Sequence, residues 1–131
     1  MASRRRAIEI AGVEHGAPIP MGCRIDNIVY SSGIMGTDPS TGETPEDGEA
    51  QVRFAFANME AFLSAADVTT DDVIRLTVLL DDFSLREFVN EEWLRLFPDP
   101  ESRPARHAVQ QKLNGKFTKI QLECIAVAPS V

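Results

Sequence analysis

Cysteine and histidine are the residue types that most readily support nucleophilic or metal chemistry, and this chain has two of each. Cys23 and Cys124 form neither a close thiol pair nor a zinc motif. His15 and His107 lack the neighbouring ligands that a zinc ion requires. Both cysteines fall in segments with strand-like patterns, so we expect buried free thiols, with a mutual disulfide as the alternative. We predict no metal site.

The chain is strongly acidic, with 20 Asp and Glu against 13 Lys and Arg, a net charge of −7 and a pI near 4.8. An acidic surface repels phosphate backbones, so this balance argues against nucleic acid as a partner. Arg4, Arg5 and Arg6 form a basic run. We interpret this run as a solvated tail that leads into a first strand.

The length of 131 residues fits a single domain with one core, spanning residues 1–131. Hydrophobic residues make up 44% of the chain, which is typical of globular proteins. Apolar runs such as Leu76 to Leu80 are too short to span a bilayer. The basic N-terminus is not followed by the apolar segment of a signal peptide. We therefore expect a cytoplasmic protein without a membrane partner.

Alternating apolar residues and turn residues divide the first third of the chain into strands and loops. The expected strands and loops are an edge strand at Arg5 to Ala11, an irregular loop at His15 to Pro20, a hairpin of Gly22 to Ile25 with Ile28 to Ser32 around Asp26-Asn27, and a polar loop at Gly33 to Gly48. Long ordered loops in compact domains are often functional.

Apolar residues at helical spacing predict a first helix from Glu49 to Ala66. Its expected core stripe is Val52, Ala55, Phe56, Met59, Leu63 and Ala66. Its expected solvent side is Gln51, Arg53, Asn58 and Glu60.

The second half of the chain reads as strand, helix and two strands. Val73 to Leu80 is a strand with Ile74, Leu76, Val78 and Leu80 on one face. Ser84 and Glu87 have the spacing of a capping box that begins a second helix, which ends at Pro98. Ala105 to Lys112 and Phe117 to Val127 are predicted to pair around Asn114-Gly115, since this dipeptide favours tight hairpins.

This order of elements predicts an α/β (α+β) fold in which two helices cover one face of a mixed sheet. The other face must then be covered by something else, and self-association is the simplest solution. Whether the chain oligomerises therefore depends on how apolar that second face is.

Several segments, in order, resemble the Rid (YjgF) family. DNIVYSSGIMGTDPSTGETPEDGEAQ is similar to the family's hairpin, Ser-Gly step and following loop, and ANMEAFLSAADVTTDDVIRLTVLLDDF to its first helix and next strand. FVNEEWLRLFP resembles the second helix, and RPARHAV and KIQLECIAVAP resemble the paired closing strands. The resemblance covers roughly Gly16 to Pro129.

The resemblance implies a chorismate-mutase-like fold and a homotrimer, in which three sheets form a central barrel with the helices outside. It implies active sites between neighbouring subunits and hydrolysis of reactive 2-imino or enamine acids to 2-keto acids and ammonia. It implies a small carboxylate-bearing substrate and no metal or organic cofactor.

Four positions match the family's site. Arg106 aligns with the arginine that holds the substrate carboxylate, a role that suits the planar guanidinium because it binds carboxylates in a bidentate manner. Ser32 and Gly33 align with the step that lines the cleft, and Asn90 aligns with an asparagine that supports it.

Three positions depart from the family pattern. Ile19 replaces an aromatic residue of the N-terminal loop, and Ala108 replaces a common cysteine. When the family pattern is continued without gaps from Arg106, Gln121 falls at the position where the deaminases carry a water-positioning glutamate. Glutamine can orient water but cannot accept its proton.

Glu123 is a possible substitute base, because it lies two residues along the same strand and on the same face as Gln121. His15 is a second candidate, whereas His107 points away from Arg106 by strand alternation.

Three functions remain open. The first is a deaminase, acting on an imine or enamine acid or on a bulkier amino-dienoate. The second is a non-catalytic protein that binds a small keto or amino acid, which Gln121 favours. The third is a ribonuclease or translation inhibitor, which the acidic composition disfavours.

Overall fold

The computed structural model describes residues 4–130. Within them, the secondary-structure elements are β1 (Arg5–Ile8), β2 (Gly22–Ile25), β3 (Ile28–Ser31), β4 (Ile34–Met35), α1 (Gly48–Ala65), β5 (Val73–Leu80), α2 (Arg86–Leu96), β6 (Ala105–Gln110) and β7 (Ile120–Val127), with short 3-10 turns at Thr70–Asp72 and Phe83–Leu85. No helix in these residues is long and apolar enough to cross a membrane.

The strands form one mixed sheet in the order β1-β2-β3-β7-β5-β6, with β4 also pairing with β7. β5 and β6 are parallel, and the other pairs are antiparallel. Both helices pack on one face, so the predicted α/β (α+β) layering is confirmed. β1 is an edge strand, as predicted.

The predicted closing hairpin is wrong. β6 and β7 do not pair with each other, because β5 lies between them and pairs with both. Two strand spacings amount to about 10 Å, which a two-residue turn cannot cross. Gly115 does adopt a positive φ of 113°, but it lies within a longer loop, 111–119, that carries the chain past the end of β5.

Helix α1 confirms its predicted core stripe, but its predicted solvent side is partly wrong. Gln51 and Asn58 are almost fully buried. The amide nitrogen of Gln51 donates to the carbonyls of Pro45 (2.8 Å) and Phe117 (2.6 Å), and its oxygen accepts from the backbone N–H of Lys119 (2.9 Å).

Asn58 has the same role about two helical turns further along α1, since its amide donates to the carbonyls of Met35 (3.0 Å) and Thr37 (2.8 Å). Together Gln51 and Asn58 attach the long polar loop and the 111–119 loop to α1. Side-chain amides suit this position because buried backbone groups require hydrogen-bond partners.

The predicted capping box before α2 is also wrong. The carboxylate of Asp82 accepts a hydrogen bond from the backbone N–H of Ser84 (2.8 Å) and begins the 3-10 turn that leads into α2. The first residue of α2 itself is preceded by no side-chain cap. An additional turn of chain therefore lies between the capping residue and the α-helix.

The sheet face opposite the helices has an apolar region around β3 and the end of β7. Tyr30 and Ile28 are about half exposed there, and they neighbour Ile125 and Val127 across the β3–β7 ladder. Ile74 was predicted to share a face with Leu76, Val78 and Leu80, but a register shift between Val73 and Arg75 leaves it 53% exposed. Within residues 4–130, nothing covers this face.

Candidate active site

The Ser-Gly step lies at a β-bulge between β3 and β4. Tyr30 pairs with Ile125 and Ile34 pairs with Leu122. Between these two pairs, residues 31–33 lie opposite only residues 123–124 of β7. The hydroxyl of Ser31 accepts the backbone N–H of Cys124 at 2.8 Å, which satisfies a donor that the bulge would otherwise leave free. Bulges often occur next to active sites because they redirect the chain.

Gly33 lies directly beneath the side chain of Gln121. A Cβ atom on Gly33 would lie 2.4 Å from the amide nitrogen of Gln121, so a larger residue would displace that amide. The backbone N–H of Ser32 donates to the carbonyl of Met21 at 2.8 Å, which anchors the step to the preceding loop. The structure thus brings Ser32, Gly33 and Gln121 together.

Glu123 lies on the same face of β7 as Gln121, which confirms the alternation argument. Its cross-strand neighbour is Thr77, whose other neighbour is His107. His107 therefore lies on the face of Gln121 and Glu123. We call Ser32, Gly33, Gln121 and Glu123 the glutamine group.

Arg106 lies on the opposite face of the sheet, in the row of Leu76 and Cys124. Its guanidinium carbon lies 5.2 Å from the centre of the Trp93 ring, which is a cation–π contact. Partial burial lowers the pKa of Arg106, and the positive charge of Arg86 lowers it further. At neutral pH this arginine remains charged.

Asn90 is exposed on α2, between Arg86 and Trp93. Residues 86, 90 and 93 follow the spacing of one helix face, and Trp93 contacts Arg106. Arg86 and Trp93 are residues that the sequence analysis missed. The i, i+4, i+7 spacing of polar and aromatic residues around Asn90 was the available signal. We call Arg86, Asn90, Trp93 and Arg106 the arginine group.

The two groups lie on opposite faces of the sheet, with β5 between the strands that carry Arg106 and Gln121. These two strands are about 10 Å apart. The side chains of Arg106 and Gln121 also point to opposite sides of the sheet, which increases their separation. A small imino acid held by Arg106 therefore cannot reach Gln121 or Glu123 of the same chain. The predicted site is divided within one chain.

The remaining predicted residues lie around these groups. Ala108 shares the face of Arg106 and packs against the core. Ile19 is 49% exposed in the loop between β1 and β2. His15 is half-buried in the same loop, and its Nε2 atom is shielded from solvent without a hydrogen-bond partner in the described residues.

Both cysteines are free, as predicted. Burial raises the pKa of Cys124 to about 11, so this thiol stays protonated and unreactive at neutral pH. Cys23 is only half-buried.

A cleft of about 890 Å³ lies at the end of α1, lined by Glu60, Asp67, Asp71 and Asp72 among others. It contains no residue of either group, and its carboxylates would repel a carboxylate substrate. Among residues 4–130, no cluster of three or more His, Cys, Asp and Glu could hold a metal ion.

Comparison with known proteins agrees with this architecture. Residues 17–128 match the family model described as Endoribonuclease L-PSP. TdcF of Escherichia coli K12, a candidate reactive intermediate deaminase, is 32% identical over 111 residues, which cover 84% of this chain and 86% of TdcF. The 2-iminobutanoate/2-iminopropanoate deaminase of the same organism is 32% identical over 84% of this chain and 87% of its own length.

RidA from the Antarctic bacterium Psychrobacter sp. PAMC 21119 superposes with a TM-score of 0.84 at 30% identity, covering 93% of this chain and 98% of RidA. TdcF has also been crystallised with bound serine; that structure gives a TM-score of 0.84 at 29% identity and covers 95% and 99% of the two chains. An open mixed sheet with two helices on one face and a bulged Ser-Gly step thus defines the class of protein. The chain belongs to the Rid (YjgF) family.

Proposed function

We propose that this chain is a one-domain hydrolytic deaminase of reactive 2-imino or enamine acids, yielding 2-keto acids and ammonia, and that it works as a homotrimer. The observation that carries this function is the division of the site. Arg106, to which we assign carboxylate binding, and the glutamine group, to which we assign water positioning, lie on opposite faces of one sheet, so a second copy is needed to bring them together. The deaminase names of two relatives support the reaction class.

The carboxylate of the substrate is held by Arg106, whose guanidinium is fixed against Trp93. Bidentate hydrogen bonding sets both position and orientation. The serine bound to TdcF is a small amino acid with a carboxylate of the same kind. The absence of an ion pair to Arg106 among the described residues is consistent with an arginine kept available for a ligand.

The glutamine group of the neighbouring subunit acts on water. The carbonyl oxygen of Gln121 accepts a hydrogen bond from water and directs its oxygen to the imine carbon. A C–O bond forms as the C=N π bond opens to a carbinolamine, which then loses ammonia as the carbonyl forms. Gln121 cannot take the proton of the attacking water. Two routes are then open: Glu123 accepts this proton and returns it to the leaving nitrogen, or the proton passes to bulk water and hydrolysis is slower.

The assembly gives a direct test. The apolar face around Tyr30 and Ile125 requires cover, and the unpaired edge of β6 places Arg106 at the rim of the sheet. We expect light scattering or sedimentation to give about three times 14.4 kDa at micromolar concentration. A stable monomer under these conditions would contradict both the trimer and the shared site.

The reaction gives a second test. Imino acids generated in the assay from several amino acids by a flavin-dependent oxidase should release ammonia faster when the protein is added. The rate should increase in proportion to protein concentration and exceed spontaneous hydrolysis. A rate equal to that in buffer with every imino acid would exclude the deaminase.

A non-catalytic keto- or amino-acid-binding protein is the second candidate, and the single feature that favours it is Gln121 in place of a glutamate. Such a protein would bind 2-keto acids through Arg106 without turnover. The ribonuclease activity in the family's description is disfavoured by the net charge of −7, since an acidic surface repels RNA. The cytoplasmic location stays a prediction.

A further inference from the structure

Arg86 and Arg106 each contact an aromatic ring of α2 or of the turn before it, and neither forms an ion pair with a carboxylate of the described residues. Arg86 stands in the first turn of α2, and its guanidinium carbon lies 4.9 Å from the centre of the Phe83 ring. Trp93, seven residues later on the same helix face, contacts Arg106. Helical side chains lean towards the N-terminus, so Trp93 leans towards Arg86. The charge of Arg86 is close enough to lower the pKa of Arg106.

These two differ from other arginines in the described residues. Four arginines bind carboxylates: Arg4, Arg6, Arg53 and Arg95. Three others bind backbone carbonyls or a hydroxyl: Arg24, Arg75 and Arg103. Arg86 and Arg106 contact aromatic rings, and no such partner of either is seen within residues 4–130.

Two neighbouring guanidinium groups repel each other, and this chain has more acidic than basic residues with which to neutralise them. Flat aromatic faces hold both groups in place while leaving their N–H donors open. Such a pair suits a ligand with two negative charges, because each of two carboxylates can bind one planar guanidinium group.

We infer that Arg86 is a specificity residue, and that the substrate is a short 2-imino dicarboxylic acid. This inference rests on the proposed function, in which Arg106 holds the carboxylate next to the imine. Arg86 then binds the carboxylate at the far end of the substrate. Hydrolysis would yield the corresponding 2-oxo dicarboxylate and ammonia.

Binding of product analogues tests Arg86 without requiring turnover. Calorimetry should show that the parent protein binds 2-oxoglutarate at least tenfold more tightly than 2-oxopentanoate, which has the same carbon chain but no second carboxylate. Arg86→Gln should weaken 2-oxoglutarate binding by about tenfold or more and weaken 2-oxopentanoate binding much less, since the monocarboxylate loses no direct partner. Arg53→Gln is the matched control, since it removes an exposed helical arginine that lies outside the site, and should change neither affinity.

The inference is overturned if the parent fails to bind 2-oxoglutarate, if it binds both ligands equally, or if Arg86→Gln weakens both alike. It is also overturned if sulfate, at matched ionic strength, competes as well as 2-oxoglutarate does, because simple charge attraction would then suffice. The Arg86→Gln variant should match the parent in its circular dichroism spectrum and in the mass of its assembly, because Arg86 is exposed.

Failure of this inference can be separated from failure of the proposed function. Ammonia release from monocarboxylic imines with no preference for dicarboxylates would retain the deaminase and exclude the role of Arg86. A dicarboxylate preference in binding that is lost in Arg86→Gln, without any turnover, would support Arg86 and exclude the deaminase.

Discussion

Arg106→Ala should abolish measurable binding of 2-keto acids while the fold and subunit mass stay as in the parent. Each hydrogen bond to a charged group contributes about 1.5–3 kcal/mol, so the loss of a bidentate pair should weaken affinity by well over tenfold. The guanidinium stacks on Trp93 at the edge of the sheet and makes no ion pair within residues 4–130, so its removal leaves no buried charge unpaired. Calorimetric titration with 2-oxobutanoate measures the effect.

Arg106→Lys separates charge from shape. A lysine keeps the positive charge but presents a point charge rather than a planar fork, so we expect it to bind poorly as well. Parental affinity in both variants would show that Arg106 is structural and that the ligand binds elsewhere. Arg53→Gln again serves as the control for a general change in charge.

Gln121→Glu should raise the rate of imine hydrolysis, if the parent is a deaminase weakened by its missing carboxylate. General-base catalysis typically contributes about 10²–10⁴-fold, and this range sets the upper limit of the gain. The new carboxylate would replace an amide that already lies over Gly33, so little rearrangement is needed. The rate of ammonia release, measured with one imino acid at a time, shows the change.

Glu123→Gln distinguishes the remaining possibilities. If Glu123 already supplies the base, this variant should lose activity and Gln121→Glu should change little. If the chain only binds ligands, neither variant should exceed the spontaneous rate, and Gln121→Glu should weaken anion binding by repulsion. Parent turnover above background that is indifferent to both changes would contradict all three accounts and direct attention to His15.

Elements that bury one face against the core were predictable from the sequence. The stripe of α1 and the alternation of β7 follow from periodicity alone, because one side of each element must be apolar. Gln51 and Asn58 were misplaced because an amide bound to loop carbonyls has the same sequence signature as a solvated one. The prediction that β6 pairs with β7 was wrong because local turn propensity contains no information about a strand inserted between them.

The strand face on which Gln121 and Glu123 lie was predictable, but the arrangement of the candidate site residues relative to one another was not. Alternation correctly placed Gln121 and Glu123 on one face, since both lie on a single strand. The face of Arg106 relative to them depends on strand order and register across β5, which no local pattern contains. Arg86 and Trp93 share a helix face with Asn90, which was a local signal, but their effect on Arg106 arises across space and is not contained in their own segment.

The buried amide of Gln51 has a consequence for how this family could change its chemistry. It binds the backbone N–H of Lys119, two residues before Gln121, and so fixes where β7 begins. A slip of one residue would turn Gln121 and Glu123 into the core and expose Leu122 and Cys124. Because the register is held from α1, the side chain at position 121 is free to vary. Glutamate, glutamine or another residue can be exchanged there while the scaffold still presents it at the same point, so reactivity and architecture can evolve independently.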